Sequence, residues 1–442
     1  MFAQFKHLTW KASLLATIVS LLAYTIALAA SGDLDTTFGG GDGLVISYPV
    51  PSDPGRSDHA SDLAIQPNGK IVAVGGSYVY STGNSDFAVL RFNTDGSLDS
   101  TFSGDGRLIT NLGGYDRANG VAIQPNGKIV AVGEKCSSSS PCDVALVRYN
   151  LNGTLDTTFS GDGKQTSDFG GGDNGSSSLA IQSNGKIVLA GYMSNGTDND
   201  FAVYRYLSNG TLDTTFSGDG MVNIGFGAGK NDTATDLVIQ SDGKIVVAGY
   251  TGNVAVANGN FAISRLNTNG SLDTTFSGDG KLTTNFGGDD LALGVSLQAD
   301  GKIVAVGEKF DLATNISSVA VARYGIDGSL DTTFNSTGKK IFSIVPGKDA
   351  SAADVIVQPD GKIFISGGTR DGGGLRDVAL VRLNSGGTLD SAFSGDGKVT
   401  INFGGFDSGI ALALQPSDGK YIVAGSINTG ADADFALARV LP

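Results

Sequence analysis

Seven carboxylates recur at corresponding places along this chain: Asp58, Asp116, Asp173, Asp232, Asp290, Asp349 and Asp407. Asn174 and Ala350 hold two of the aligned positions, and there the acid stands one residue earlier, at Asp173 and Asp349. Oxygen ligands gathered at one place could hold a cation such as calcium, or a polar ligand. The competing explanation is capping of a tight turn, because Asp readily bonds nearby backbone. Two more polar sets recur seven times: Arg91, Arg148, Arg205, Arg265, Arg323, Arg382 and Arg439, and Asp35, Asp99, Asp156, Asp213, Asp273, Asp331 and Asp390. A residue required identically in every copy of a repeat serves the architecture. Arg also suits repeated pairing with a buried carboxylate. Both sets are therefore expected to be structural.

Material for catalysis is sparse. His59 is the one histidine beyond residue 30, and no catalytic residue is assigned. Patterns for a nucleophile elbow or a phosphate loop are absent. Turns such as NTDGSLD suggest a calcium loop, but Leu207 and Gly325 replace the first ligand in two copies, and the closing glutamate is missing. The identity of any metal stays open, and no cofactor is expected beyond calcium at the acidic positions. Cys136 and Cys142, the only cysteines, are too few for a structural zinc site and are expected to form a local disulfide.

These residues ride on a repeat. The phrase IQPNGKIVAVG and its variants place a turn glycine at Gly69, Gly127, Gly185, Gly243, Gly301, Gly361 and Gly419. Within one copy, ANGVAIQ alternates as a half-buried strand does. Asn126-Gly127 is a hairpin turn signal, and KIVAVG reads as a strand buried on both faces. DVALVRYN is a third strand, LNGTLDTTFSGDG a turn-rich connection, and KQTSDF a fourth, short strand. Glu134 and Glu308 are the only glutamates among 44 acids, and there are 66 glycines, a balance that favours turns over helix.

A four-stranded sheet with two apolar faces must stack on its neighbours, and radial stacking gives a β-propeller rather than a linear solenoid. The last copy stops after three strands, whereas residues 32–49 hold an LDTTF phrase and one strand without the preceding three. Residues 32–49 are thus expected to complete the sheet of 409–441. The expected fold is an all-β, seven-bladed propeller of four antiparallel strands per blade, occupying 31–442 as one domain and closed by the N-terminal strand.

Residues 1–30 read differently. Lys6, His7 and Lys11 precede an apolar run ending in Ala27-Leu28-Ala29, the pattern of a cleaved secretory signal peptide rather than a retained membrane helix. Its removal takes away two lysines and no acid, moving the net charge from −14 to −16. Such a charge argues against nucleic acid and anionic lipid as partners. No stable membrane insertion is expected. The protein should be exported to a periplasm, a cell surface or the medium, as a monomer.

The phrases DFALARxNxxGxLDxxFSGDGK and IQPDGKIVxAG resemble the delta-60 repeat of bacterial exported and surface proteins, over nearly the whole span Gly32–Val440. That resemblance implies a propeller and brings no catalytic or binding residues with it. The expected function is a non-catalytic binding or surface-interaction module. It would act through the variable loops Ser77–Ser85, Glu134–Pro141, Tyr250–Gly259 and Glu308–Ser317, together with the acidic rim, on a protein, a glycan or a small polar ligand. A scaffold without a small-molecule site, and a propeller hydrolase or lyase, are the alternatives.

Overall fold

Each Gln-x-x-Gly-Lys phrase closes a hairpin: in the first copy Gly69 adopts φ +81° and the Gln66 amide bonds the Lys70 carbonyl at 2.8 Å. A left-handed turn position of this kind favours glycine. The computed structural model describes residues 30–50, 55–137, 141–170, 172–253, 258–370, 375–428, 430 and 432–442. The expected leader lies outside these residues except for Ala30.

Among the described residues there are strands and turns but no helix, and so no helix long and apolar enough to cross a membrane. The chain opens with β1 (Leu44–Ser47). Next come β2 (Arg56–Ile65), β3 (Ile71–Val79), β4 (Asn84–Phe92), β5 (Arg107–Thr110), then β6 (Tyr115–Ile123), β7 (Ile129–Cys136), β8 (Cys142–Tyr149), β9 (Lys164–Ser167). They are followed by β10 (Asn174–Ile181), β11 (Ile187–Ser194), β12 (Asn199–Tyr206), β13 (Met221–Ile224), and by β14 (Asn231–Ile239), β15 (Ile245–Gly252), β16 (Asn260–Leu266), β17 (Lys281–Thr284). The same order repeats in β18 (Asp289–Leu297), β19 (Ile303–Asp311), β20 (Ile316–Tyr324), β21 (Lys339–Phe342), and in β22 (Ala350–Val357), β23 (Ile363–Arg370), β24 (Arg376–Leu383), β25 (Lys398–Ile401). The chain finishes with β26 (Phe406–Leu414), β27 (Tyr421–Asn428) and β28 (Ala433–Val440).

Five sheets have four strands in antiparallel order, and a sixth has eight. The eight-stranded sheet is β2–β5 and β6–β9 joined by a single parallel pair, Ser85 with Tyr115. The final sheet runs β1-β28-β27-β26, with Leu44 opposite Ala438 and Ser47 opposite Phe435. The N-terminal strand therefore joins the C-terminal sheet, as its sequence implies.

Alternate residues of one strand enter different cores. Val72 and Val74 pack against Ala118, Ile129 and Val147 of the next four-strand unit. Ile71 and Ala73 turn the other way and pack against Ile422 and Leu437. This two-sided burial is why the IVAV segments carry no polar alternation.

The repeated charges are pinned between the sheets. Each arginine of the seven pairs with its aspartate, Nε lying 2.6–2.8 Å from Oδ2, and in five of them Nε donates a hydrogen bond to that oxygen. The turn lysine of the same unit joins that oxygen at 2.6–3.2 Å. The guanidinium lies over the phenylalanine of the LDxxF phrase, 4.4–5.0 Å from its centroid. In six of the seven, Nη1 also reaches a carbonyl of the neighbouring unit, as Arg91 does to Leu151 at 2.5 Å. Burial alone would raise the Asp99 carboxyl, but Lys70, Thr101 and Arg91 together hold it well below the usual carboxylate range. These sets tie one sheet to the next.

A candidate binding face

The calcium-like turns are Asx turns: Asp95 Oδ1 accepts the Ser97 amide at 3.0 Å and its hydroxyl at 2.6 Å. The seven carboxylates at the start of the inner strands divide into two groups, because successive strand residues point to opposite faces. Asp58, Asp116, Asp232, Asp290 and Asp407 are buried. In four of them Oδ2 accepts an amide from the preceding connector: Leu112 at 2.5 Å, Phe226 at 2.7 Å, Phe286 at 2.5 Å and Phe403 at 2.7 Å. Burial pushes the Asp290 carboxyl up to about 6. Asp173 and Asp349 instead accept, through Oδ1, the amides of Cys142 and Ser317 in the preceding unit, at 3.1 and 3.0 Å. Six of the seven acids thus commit one oxygen to a connector or a neighbouring unit, while the buried Oδ1 atoms of Asp116, Asp290 and Asp407 take no hydrogen bond among the described residues.

Those clips place the connectors into β10 and β22 on the same face as the loop between the second and third strands of the preceding unit. Gly259 N to Asp289 Oδ1, at 2.5 Å, is another. Cys136 and Cys142 are bonded in a disulfide and sit opposite each other across β7 and β8. The Glu134 carboxylate lies beside these sulfurs. With both sulfurs in the disulfide, no thiolate is left for a metal.

Below this face, every first strand carries a β-bulge. The register slips between Ala60 and Asp62, Ala118 and Gly120, Ser176 and Ser178, Ala234 and Asp236, Ala292 and Gly294, Ala352 and Asp354, and Gly409 and Ala411. A bulge bends the strand and re-aims the extra residue. Opposite each bulge stands a glycine: at Gly133 an added Cβ would meet the Arg117 carbonyl at 1.9 Å, and at Gly307 the Leu291 carbonyl at 1.9 Å. The skipped residues are Ser61, Asn119, Ser177, Thr235, Leu293, Ala353 and Ile410, and all seven line one cavity of about 510 Å³.

Three carboxylates join them there, each accepting from the next unit. Asp62 Oδ2 takes the Val121 amide at 2.7 Å, Asp236 Oδ2 that of Val295 at 2.8 Å, and Asp354 Oδ2 that of Leu412 at 2.8 Å. Burial drives Asp62 up to about 7 against the pull of its two amide donors, and the charge of Asp236 adds to the rise. Asp354 is driven well above the carboxylate range by burial and by Asp236 and Asp62. Sequence reasoning overlooked this trio. The available signal was an acid inside an otherwise apolar strand, in DLAIQ, DLVIQ and DVIVQ.

The upper wall of the cavity has Arg117, Glu134 and Tyr192. Arg117 reaches the Ser61 hydroxyl at 3.4 Å, and Tyr192 OH lies 3.4 Å from Glu134 Oε2. His59 meets the Ser57 hydroxyl at 3.2 Å, and burial with the Arg117 charge holds its ring below the usual histidine value. Among the described residues no carboxylate hydrogen-bonds to it.

Comparison with known proteins gives the class first. Six segments, residues 66–102, 124–159, 182–216, 240–276, 298–334 and 358–393, match the family model described as "Domain of unknown function (DUF5122) beta-propeller". The chain is a β-propeller repeat protein; the match does not extend to the delta-60 name specifically. Solved structures with a similar path include a protein of unknown function from Dyadobacter fermentans DSM 18053, 14% identical, covering 90% of this chain and 97% of that one with a TM-score of 0.46. The polysaccharide lyase Uly1 is 12% identical over 87% of this chain and 90% of that one, with a TM-score of 0.44. The propeller domain of the Trilobed protease from Pyrococcus furiosus is 10% identical over 86% and 93%, with a TM-score of 0.42. No curated protein matches the sequence.

Proposed function

We propose that this protein is a closed, seven-bladed propeller, exported and monomeric, that works as a non-catalytic binding module. The family model matches six copies from the hairpin glutamine to the LDxxF phenylalanine. A seventh copy of the same phrase is divided between Gln415–Val440 and Leu34–Phe38, so it offers no continuous segment to match. Closure draws support from Phe38, Leu63 and Leu90 sharing one core with Ile422 and Leu437.

The observation that carries the binding role is the cavity built on the bulges. One structural register, repeated in every sheet, holds Ser, Asn, Ser, Thr, Leu, Ala and Ile. A scaffold needs no such divergence, whereas a selective pocket is made by it. The connector carboxylates take an architectural part in this reading, since Oδ2 of four of them already accepts an amide.

The test is a screen of glycans, small metabolites and peptides against residues 31–442, read by thermal shift and calorimetry. The same screen is run on Arg117→Ala and Tyr192→Ala. A ligand that stabilises the parent and loses affinity in either variant supports the module. Silence across the screen favours the scaffold, and turnover of any compound revives the enzyme.

A further inference from the structure

The residue after each bulge-facing glycine is Gly76, Glu134, Tyr192, Tyr250, Glu308, Gly368 or Ser426. The chain's only two glutamates thus occupy the same place in two units, and each lines a cavity. Glu134 borders the central one, whereas Glu308 borders a separate cavity of about 320 Å³ between β18–β21 and β22–β25. Arg376 enters this second cavity over Gly368, where any Cβ would collide with the guanidinium.

Arg376 is incompletely used by the protein. Among the described residues its one side-chain hydrogen bond runs from Nη2 to the Ser351 hydroxyl, and it forms no ion pair. Arg370 differs, because Asp349 holds its Nε at 2.9 Å. Glu308 faces Arg376 with Ser317 beside it, and burial raises its carboxyl while the Ser317 hydroxyl and the Arg376 charge oppose the rise. Phe310 supplies an apolar wall. A half-buried cation whose Nε has no hydrogen-bond partner among the described residues and a half-buried acceptor stand apart in one small cavity, and polar groups drawn out of water want partners.

The geometry points to a small carboxylate as the occupant, one that also carries a hydroxyl or ammonium donor. Its carboxylate sits on Arg376, whose guanidinium matches that shape, and its donor reaches Glu308. Hydroxy acids, amino acids and uronate units share this chemistry. The inference rests on the binding-module reading and gives it a ligand class.

Titration calorimetry with glucuronate, serine and neutral glucose tests it on residues 31–442. Glucuronate or serine is expected to bind and glucose to fail. Arg376→Gln should weaken the bound carboxylate by roughly ten-fold or more, the scale of a hydrogen bond to a charged group. Arg376→Lys, which keeps the charge and loses the planar fork, should fall between. Glu308→Gln should weaken serine more than glucuronate if an ammonium is the donor. The inference is overturned if neither carboxylate binds, if glucose binds as well, or if Arg376→Gln leaves affinity unchanged with its fold intact by circular dichroism. Should these carboxylates fail while another screened ligand binds, the ligand class falls and the module reading stands.

Discussion

Arg439 Nε lies 2.7 Å from Asp35 Oδ2 in an ion pair, joining residues that lie at opposite ends of the sequence. Lys420 meets the same oxygen at 2.7 Å, and Arg439 Nη2 donates to the Thr37 hydroxyl at 2.8 Å. The other six pairs are made within one continuous stretch of chain, so this one alone fastens β1 and its turn to β26–β28.

Arg439→Ala is expected to cost about 3–5 kcal/mol, the usual result of leaving a buried charge without its partner. Denaturant unfolding of the variant measures this. A loss below about 1 kcal/mol would mean that Lys420 alone satisfies Asp35.

Gly307→Ala should destabilise sharply, because the new Cβ would meet the Leu291 carbonyl at 1.9 Å and the bulge cannot move without opening the cavity wall. Gly83→Ala offers the contrast, since nothing lies near its Cβ, although its φ of +71° keeps some strain. Melting temperatures should rank parent, Gly83→Ala, Gly307→Ala; near-equal values for the two variants would contradict the bulge account.

Stability should peak in mildly acidic solution. Asp99, Asp156, Asp213 and Asp273 are held below the usual carboxylate value, despite burial, by their lysine, threonine and arginine partners. Their contribution is present above about pH 4 and is lost as pH falls. Asp62 and Asp290 are raised by burial to about 7 and about 6, so the folded state holds protons that the unfolded chain releases, and stability declines as pH rises from about 4 towards 7. Calorimetric melting between pH 3 and 8 checks both limbs, and Asp62→Ala should flatten the upper one.

Reduction of the Cys136–Cys142 disulfide, which spans a separation of six residues, should cost about 2 kcal/mol by loop-entropy reasoning. Melting with and without a phosphine reductant measures it. A loss well above that figure would assign the bond a larger part in holding the β7–β8 hairpin.

Much of the fold could be read from one dimension because each unit repeats the same local rules. The turn glycines marked the hairpins, and the incomplete copies at the two ends foretold the pairing of Leu44 with Ala438. The Arg91–Asp99 type of pair also followed from its recurrence. The site was harder to see. Asp173 stands only one residue earlier in its repeat than Asp116 does, yet that single step sends Asp116 to its own connector and Asp173 to the neighbouring sheet. The bulges were invisible because they arise from pairing across strands, and only the glycine opposite each one, Gly75 or Gly133 for instance, leaves a trace. Arg376 stands in no repeated set, so its meeting with Glu308 required the three-dimensional neighbourhood.

The core that joins Ile71 and Leu90 to Ile422 and Leu437 has a consequence for how the molecule is made. One apolar side of the first hairpin leaves the ribosome about 350 residues before its cover does, a delay of roughly 20–70 s at ordinary synthesis rates. Until the last hairpin arrives, that side stays open to wrong partners, including the like side of another nascent copy. Assembly should therefore be vectorial in its middle and simultaneous at its end, with the final strands acting as both the last core to form and the release from that hazard.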